Sequence, residues 1–187
     1  MVRLYSPARA ESIIKKYDHK IREICGKYGL SPAVLKAVLY TEMIRIDLMD
    51  LTADLVVRLG AFSRKDSSTG YAQIFAYVAL NAANFAVDRG LADYSSLGLD
   101  EPSRRLDPKN PADLRMVWLK IHKDPAANME FAVLNLLSCA EEMTGRINFN
   151  GYTPEELKLI FTRYNANVKH IAPYGEEAYR HYLRYSE

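Results

Sequence analysis

Glu42 is the residue whose type and setting invite chemistry. It sits within Ser31 to Met49, where Leu35, Val38, Leu39, Ile46 and Met49 recur at spacings of three and four. That spacing is the apolar stripe of an amphipathic helix. Glu42 falls on the stripe, four residues after Val38 and four before Ile46. A carboxylate on the buried side of a helix is costly unless it is paired or keeps its proton. A carboxyl that keeps its proton near neutral pH is what a general acid requires. The competing reading places Glu42 at the edge of the stripe, leaning into water.

Other chemistry-bearing residues are scattered. His19, His122, His170 and His181 share no ligand spacing, and Cys25 and Cys139 match no metal or redox motif. The two cysteines read as free buried thiols, with a single disulfide between them left open. There is no P-loop, dinucleotide-binding or serine-nucleophile motif, so no cofactor and no metal is expected.

These residues must be positioned by a chain of 187 residues, enough for one domain with a substantial core. Its 49% apolar and 26% charged residues are ordinary for a globule. A formal net charge of +2 is too small to argue for a nucleic-acid partner, and there is no Lys/Arg run. No segment approaches the roughly 18 apolar residues of a membrane span. The opening MVRLYSPARAES lacks the apolar core of a secretory signal. Three readings stay open: the protein stays inside, a leader has been removed, or export uses another route. Thirteen Tyr against one Trp supply flat apolar faces with polar tips, suited to sugars and equally to a helical core.

Element by element, the pattern is helical. Ser6-Pro7 opens a helix read to about Lys27, stopped by Gly29. The Ser31 helix follows with almost no linker, so the two are expected to pack as neighbours. Leu48, Leu51, Leu55, Val56 and Leu59 extend the period to Gly60, and residues 61–73 read as a loop. Ile74 to Asp88 is an Ala-rich helix, and residues 91–110, with Gly98, Pro102 and Pro108, form the longest irregular segment. Asn110-Pro111 caps a helix to about His122, and Asp124-Pro125 caps another to Thr144. Thr153-Pro154-Glu155-Glu156 is a capping box that opens a helix to about Asn165. The last helix runs from Tyr174 to Tyr185, whose Tyr179, Tyr182 and Tyr185 read as core packing ahead of stacking on sugars. No run alternates long enough for a strand. The expectation is an all-α, single-domain fold over residues 1–187, with 1–28 packing on the rest.

Three pieces occur in a meaningful order. GLSPAVLKAVLYTEM, Gly29 to Met43, resembles the catalytic helix of the lytic transglycosylases and goose-type lysozymes, which leads to a Glu. SSTGYAQI, Ser67 to Ile74, resembles their S-x-G-x-x-Q-I segment, and the stretch from Phe161, FTRYNANVKHIAPYGEEAYRHYLRY, their Y-N-A-G segment with its following helix. DPAANMEFAVLNLL, Asp124 to Leu137, is similar to an asparagine-containing helix between them. Met43 stands where the family places Ser, and Asn167 where it places Gly, a residue that tolerates the left-handed conformation.

The resemblance implies a lysozyme-like helical fold with a substrate cleft. It implies that Glu42 protonates the glycosidic oxygen between N-acetylmuramic acid and N-acetylglucosamine in peptidoglycan, at the cell envelope or outside the cell. Ser68, Tyr71 and Gln73 from the second segment and Tyr164 and Asn165 from the third would bind the glycan strand. Against these roles, Gln73 also reads as a loop-anchoring amide and Tyr164 as a core phenol. An inverting hydrolase needs a base about 6.5–9.5 Å from the acid. Asp66 lies near where goose-type enzymes carry it, with Asp47 and Asp50 as rivals; a transglycosylase needs none, since the substrate closes on itself. His170 reads as a surface or packed residue. The other class is a helical module on the same scaffold that binds glycan or a protein without cutting.

Overall fold

The computed structural model describes residues 3–46, 67–99 and 104–187. Among these are eight helices and one short hairpin. The helices are α1 (Pro7–Lys16), α2 (Asp18–Lys27), α3 (Pro32–Arg45), α4 (Ala76–Asp88), α5 (Pro111–Lys123), α6 (Pro125–Thr144), α7 (Pro154–Asn165) and α8 (Pro173–Ser186). Strands β1 (Ser68–Thr69) and β2 (Ile74–Phe75) pair antiparallel, Ser68 opposite Phe75 and Thr69 opposite Ile74. The fold is mostly helical, as the sequence pattern anticipates. No helix among the described residues is long and apolar enough to cross a membrane.

Two helices form the centre. α3 packs against α1, α2, α6 and α8, and α6 packs against α2, α4, α5 and α7. The expected one-sided stripe on the Ser31 helix is corrected by this placement. Ala33 to Leu35, Ala37 to Thr41, Met43 and Ile44 are all buried, so α3 is enclosed on every side. Lys36 and Glu42 are the half-buried polar interruptions, and Lys36 reaches Asp18 at 2.5 Å. The expected continuation over Leu48 to Leu59, with Met49, lies outside the described residues.

The single helix expected from Ser6 to Lys27 is two. Tyr17, at φ −98° and ψ 9°, interrupts it, and Asp18 starts α2 with its carboxylate bonded to Arg22. The break has a tertiary reason. Each half turns its own apolar residues inward, Ala10 and Ile14 from α1, Ile21, Ile24 and Cys25 from α2, and both halves contact α3. The hairpin is a second correction, since no strand was expected, and it delays α4 to Ala76. Its two-residue strands are too short to leave a periodic trace.

The remaining boundaries follow their caps. Asn110 accepts from the Ala112 N–H, Asp124 from those of Ala126 and Ala127, and Thr153 and Glu156 form the reciprocal capping box. α6 ends at Gly145, whose φ of 74° is the left-handed cap geometry. The irregular stretch after α4 is anchored where it is described. Leu97, Leu99 and Leu106 are buried, and the Asn84 side chain donates to Leu106 O at 2.8 Å while accepting from Tyr94. Cys25 and Cys139 are free, buried thiols, and burial pushes both up to about 12.

Candidate functional site

Glu42 lines a pocket of about 230 Å³ between α3, the hairpin and the C-terminal half of α7. Its carboxyl is held from behind by Tyr174 at the start of α8, whose hydroxyl donates to Oε1 at 2.5 Å. Tyr174 is 3% exposed, so the phenol is a fixed part of the floor. Burial first, then the negative charge of Glu42, push the Tyr174 hydroxyl well above its ordinary range. It stays a proton donor throughout the neutral range.

What brings Tyr174 there is a close approach of two helices. A Cβ on Gly175 would lie 2.3 Å from Lys158 O and 2.1 Å from the Thr162 hydroxyl. Only glycine lets the α8 backbone come that near α7. The Thr162 Oγ1 also accepts from the Ala172 N–H at 3.1 Å, fixing the turn into α8.

Arg45 follows Glu42 by three residues on α3 and faces the same pocket. Its Nε and Nη2 both donate to Glu177 Oε2, at 3.2 and 2.5 Å, and its guanidinium lies 4.8 Å from the Tyr174 ring centre. A cation thus stands at the pocket with its carboxylate partner beside it.

The opposite wall is the hairpin. Gln73 has φ 44°, the only non-glycine residue among those described with a left-handed backbone. Such a conformation costs of order 1–2 kcal/mol and persists where surroundings impose it. Here they do. Asn128, fully buried on α6, donates to Thr69 O and accepts from the Ala72 N–H, both at 2.9 Å. The Tyr164 hydroxyl donates to Ala72 O at 2.8 Å. Gly70, at φ 74°, lies so close to Asn128 that a Cβ would meet its amide at 2.3 Å. The Gln73 side chain folds back over this loop, donating to Gly70 O at 2.8 Å and accepting from the Ser68 hydroxyl at 3.1 Å.

The structure therefore gathers Glu42, Ser68, Gln73, Tyr164 and Asn165 around one pocket. Gln73 and Tyr164 both spend hydrogen bonds on the loop itself. Tyr164 is half-buried with its hydroxyl turned inward; burial, then the Glu42 charge, raise it well above the ordinary phenol range. Asn165 is exposed at the end of α7, and Asn167 does not adopt the left-handed conformation. His170 is exposed.

Tyr71 is placed elsewhere. It lines a second pocket beyond the hairpin, against Tyr5 and Tyr17, with ring centres 6.4 and 5.8 Å away. The reason is the turn: Gly70 to Gln73 reverses the chain, so neighbours in sequence point to opposite sides. Asp66, Asp47 and Asp50 lie outside the described residues, so no second carboxylate is positioned.

Sequence reasoning missed Tyr174, Arg45, Phe75 and Asn135 as parts of this site. Phe75 is 40% exposed at the pocket, and Asn135 lies two helical turns from Asn128 on α6. Two asparagines seven residues apart lie on one face of this helix, and both are buried among its apolar residues, a legible signal for a polar strip in the core. For Tyr174 the only local mark is Gly175 inside a helix, which indicates close backbone contact. Among the described residues no group of three or more His, Cys, Asp or Glu could hold a metal.

No protein-family model matches the chain, and neither curated proteins nor solved structures give a match. The class that fold and site define is a physical one. It is a mostly helical protein with a half-buried glutamate, oriented by a buried tyrosine, at the wall of an open pocket lined by amide, hydroxyl and aromatic groups.

Proposed function

We propose that the Glu42 pocket cleaves the glycan strands of peptidoglycan between N-acetylmuramic acid and N-acetylglucosamine, on a lysozyme-like helical scaffold. The observation that carries this reading is Glu42 itself. It is a half-buried carboxyl lining a pocket with Ser68, Gln73, Phe75 and Asn165, and Tyr174 donates to one of its oxygens. Amides suit the acetamido and hydroxyl groups of such sugars, and an exposed aromatic ring suits their apolar faces.

In the proposed reaction Glu42 gives its proton to the glycosidic oxygen as the bond to the anomeric carbon breaks. The resulting carboxylate then takes a proton from the group that attacks that carbon. If the attacker is the sugar's own 6-hydroxyl, the product is a 1,6-anhydro end; if it is water, a reducing end forms. We favour the intramolecular route, which needs no second carboxylate. Such work belongs at the cell envelope or outside the cell.

The Ser68 to Gln73 hydrogen bond supports a second reading, in which these polar groups serve the scaffold and the pocket binds glycan without cutting. Glu42→Gln separates the two. It keeps the side chain's shape and removes the donated proton, so release of soluble muropeptides from purified sacculi should vanish. Mass spectrometry of the wild-type products distinguishes anhydro from reducing ends. A wild type that releases nothing refutes cleavage and leaves binding.

A further inference from the structure

Among the described residues one buried side-chain nitrogen has no hydrogen-bond partner, Nε2 of His181 on α8. Buried polar groups are nearly always paired, which makes this nitrogen an exception. The acidic group beside it is Glu177, one turn earlier on the same helix. Its Oε1 lies 3.9 Å from Nε2, beyond hydrogen-bond reach. The other oxygen of that carboxylate, Oε2, accepts from both Nε and Nη2 of Arg45. Arg45 in turn lines the Glu42 pocket, three residues after Glu42 on α3. One carboxylate therefore links the imidazole to the cation beside the acid. The surroundings keep that imidazole uncharged at neutral pH. Burial, the largest effect, pushes it below its ordinary value of 6.5; Glu177 pulls it up, and Arg180 and Arg45 push it down. From α3 the Tyr40 ring meets it edge-on at 4.6 Å. The other charges around α8 are engaged elsewhere. Arg184 lies over the Tyr40 ring at 4.4 Å and is paired with Glu11 of α1, and Lys158 of α7 is paired with Glu176.

We propose that His181 is a positioning residue that ties Arg45 to acidity: once protonated it draws Glu177 to itself, and Arg45 turns toward Glu42. With the imidazole neutral, Glu177 serves Arg45 alone. A proton on the ring sets a second cation beside the same carboxylate and gives the buried Nε2–H an acceptor, so the two cations compete for one partner. The side chain of Arg45 already borders the cavity, so releasing it needs no movement of α3. A guanidinium facing Glu42 favours the carboxylate form and takes away the proton that cleavage requires. The effect on turnover rests on the glycan-cleaving reading of the Glu42 pocket, whereas the coupling of His181 to Arg45 does not. A reaction that needs only a protonated Glu42 should not slow as pH falls, so slowing on the acid side is the mark of this coupling.

The test follows the His181 ring and Arg45 Nε–H resonances of the wild-type protein by NMR from about pH 7 to about pH 5, the span in which histidines charge. The Arg45 signal should shift in step with the His181 ring. In His181→Gln, which keeps a neutral polar side chain and cannot charge, that step in the Arg45 signal should be absent. Muropeptide release from sacculi by the wild type should fall toward the acid side, approaching about tenfold per pH unit once His181 is charged. His181→Gln should hold its neutral-pH rate over the same span on the same sacculi. An Arg45 signal that stays still while His181 charges, or that moves equally in His181→Gln, overturns the proposal. So does an acid-side fall in release that His181→Gln retains. If sacculi stay intact at every pH, the cleaving reading fails, and the Arg45 signal in the wild type still decides the coupling.

Discussion

Replacing Tyr174 by Phe removes one oxygen atom from behind the Glu42 carboxyl and leaves the ring in place. Tyr174 is 3% exposed and its ring carries the Arg45 guanidinium 4.8 Å away, so Phe fills the same space and keeps that contact. What is lost is the hydrogen bond to Glu42 Oε1. A hydrogen bond to a charged group contributes about 1.5–3 kcal/mol, and one between neutral groups about 0.5–1.5 kcal/mol. The stability loss on urea unfolding at pH 7 should fall in the range of about 0.5–3 kcal/mol, its size showing which form of Glu42 Tyr174 serves. In the proposed reaction Tyr174 touches the acid and not the sugar. Each 1.36 kcal/mol in the barrier is a factor of about ten, so muropeptide release should slow by roughly 10- to 100-fold in kcat with KM little changed. A Tyr174→Phe protein equal to wild type in both stability and turnover would refute the idea that this bond holds the acid.

Three further outcomes follow from the same contacts. Asn128→Ala leaves Thr69 O and the Ala72 N–H without their buried partner; at about 1–3 kcal/mol each, urea unfolding should show a loss of about 2–6 kcal/mol, and a loss below about 1 kcal/mol contradicts the hairpin anchor. Gly175→Ala places a methyl 2.3 Å from Lys158 O, so α7 and α8 must part; a drop in melting temperature should come with loss of turnover, since Tyr174 moves with α8. Alkaline stability gives the third. Burial holds the Cys25 and Cys139 thiols up to about 12 in the folded chain, against an ordinary value of 9.0, and the half-buried Tyr28 and Tyr185 hydroxyls up to about 12, against 10.0. Groups raised on folding contribute stability that is complete below their unfolded values and lost as pH rises toward the folded ones. The unfolding free energy from urea titrations should therefore fall steadily between pH 9 and 12, by at most about 1.4 kcal/mol per pH unit for each thiol and by less for the two half-buried tyrosines, whose shifts solvent screens. A flat profile there would show that the two thiols are not buried as described.

Much of the helical scaffold is written in short-range terms. Asn110, Asp124, Thr153 and Gly145 mark the ends of α5, α6 and α7 because a helix end has unpaired backbone groups that adjacent side chains or a left-handed residue can satisfy. Those signals act over three or four residues and survive any tertiary setting. The interruption at Tyr17 and the hairpin at Ser68 to Phe75 have no such signal, because each exists to fit a distant neighbour: α3 in the first case, Asn128 and Tyr164 in the second.

The candidate site divides along the same line. Glu42, Ser68, Gln73, Tyr164 and Asn165 were singled out from segments scattered along the chain, and the fold assembles them around one cavity while turning Tyr71 away to another. By itself the sequence determined which residue types were on hand, a lone glutamate in an apolar helix and an amide-bearing loop, and where most helices begin and end. Tertiary structure alone decided that Tyr174, 132 positions along the chain, meets Glu42. Helix caps are settled by bonds within one turn of backbone, whereas that meeting depends on how closely Gly175 lets two helices pack, a distance no local pattern encodes.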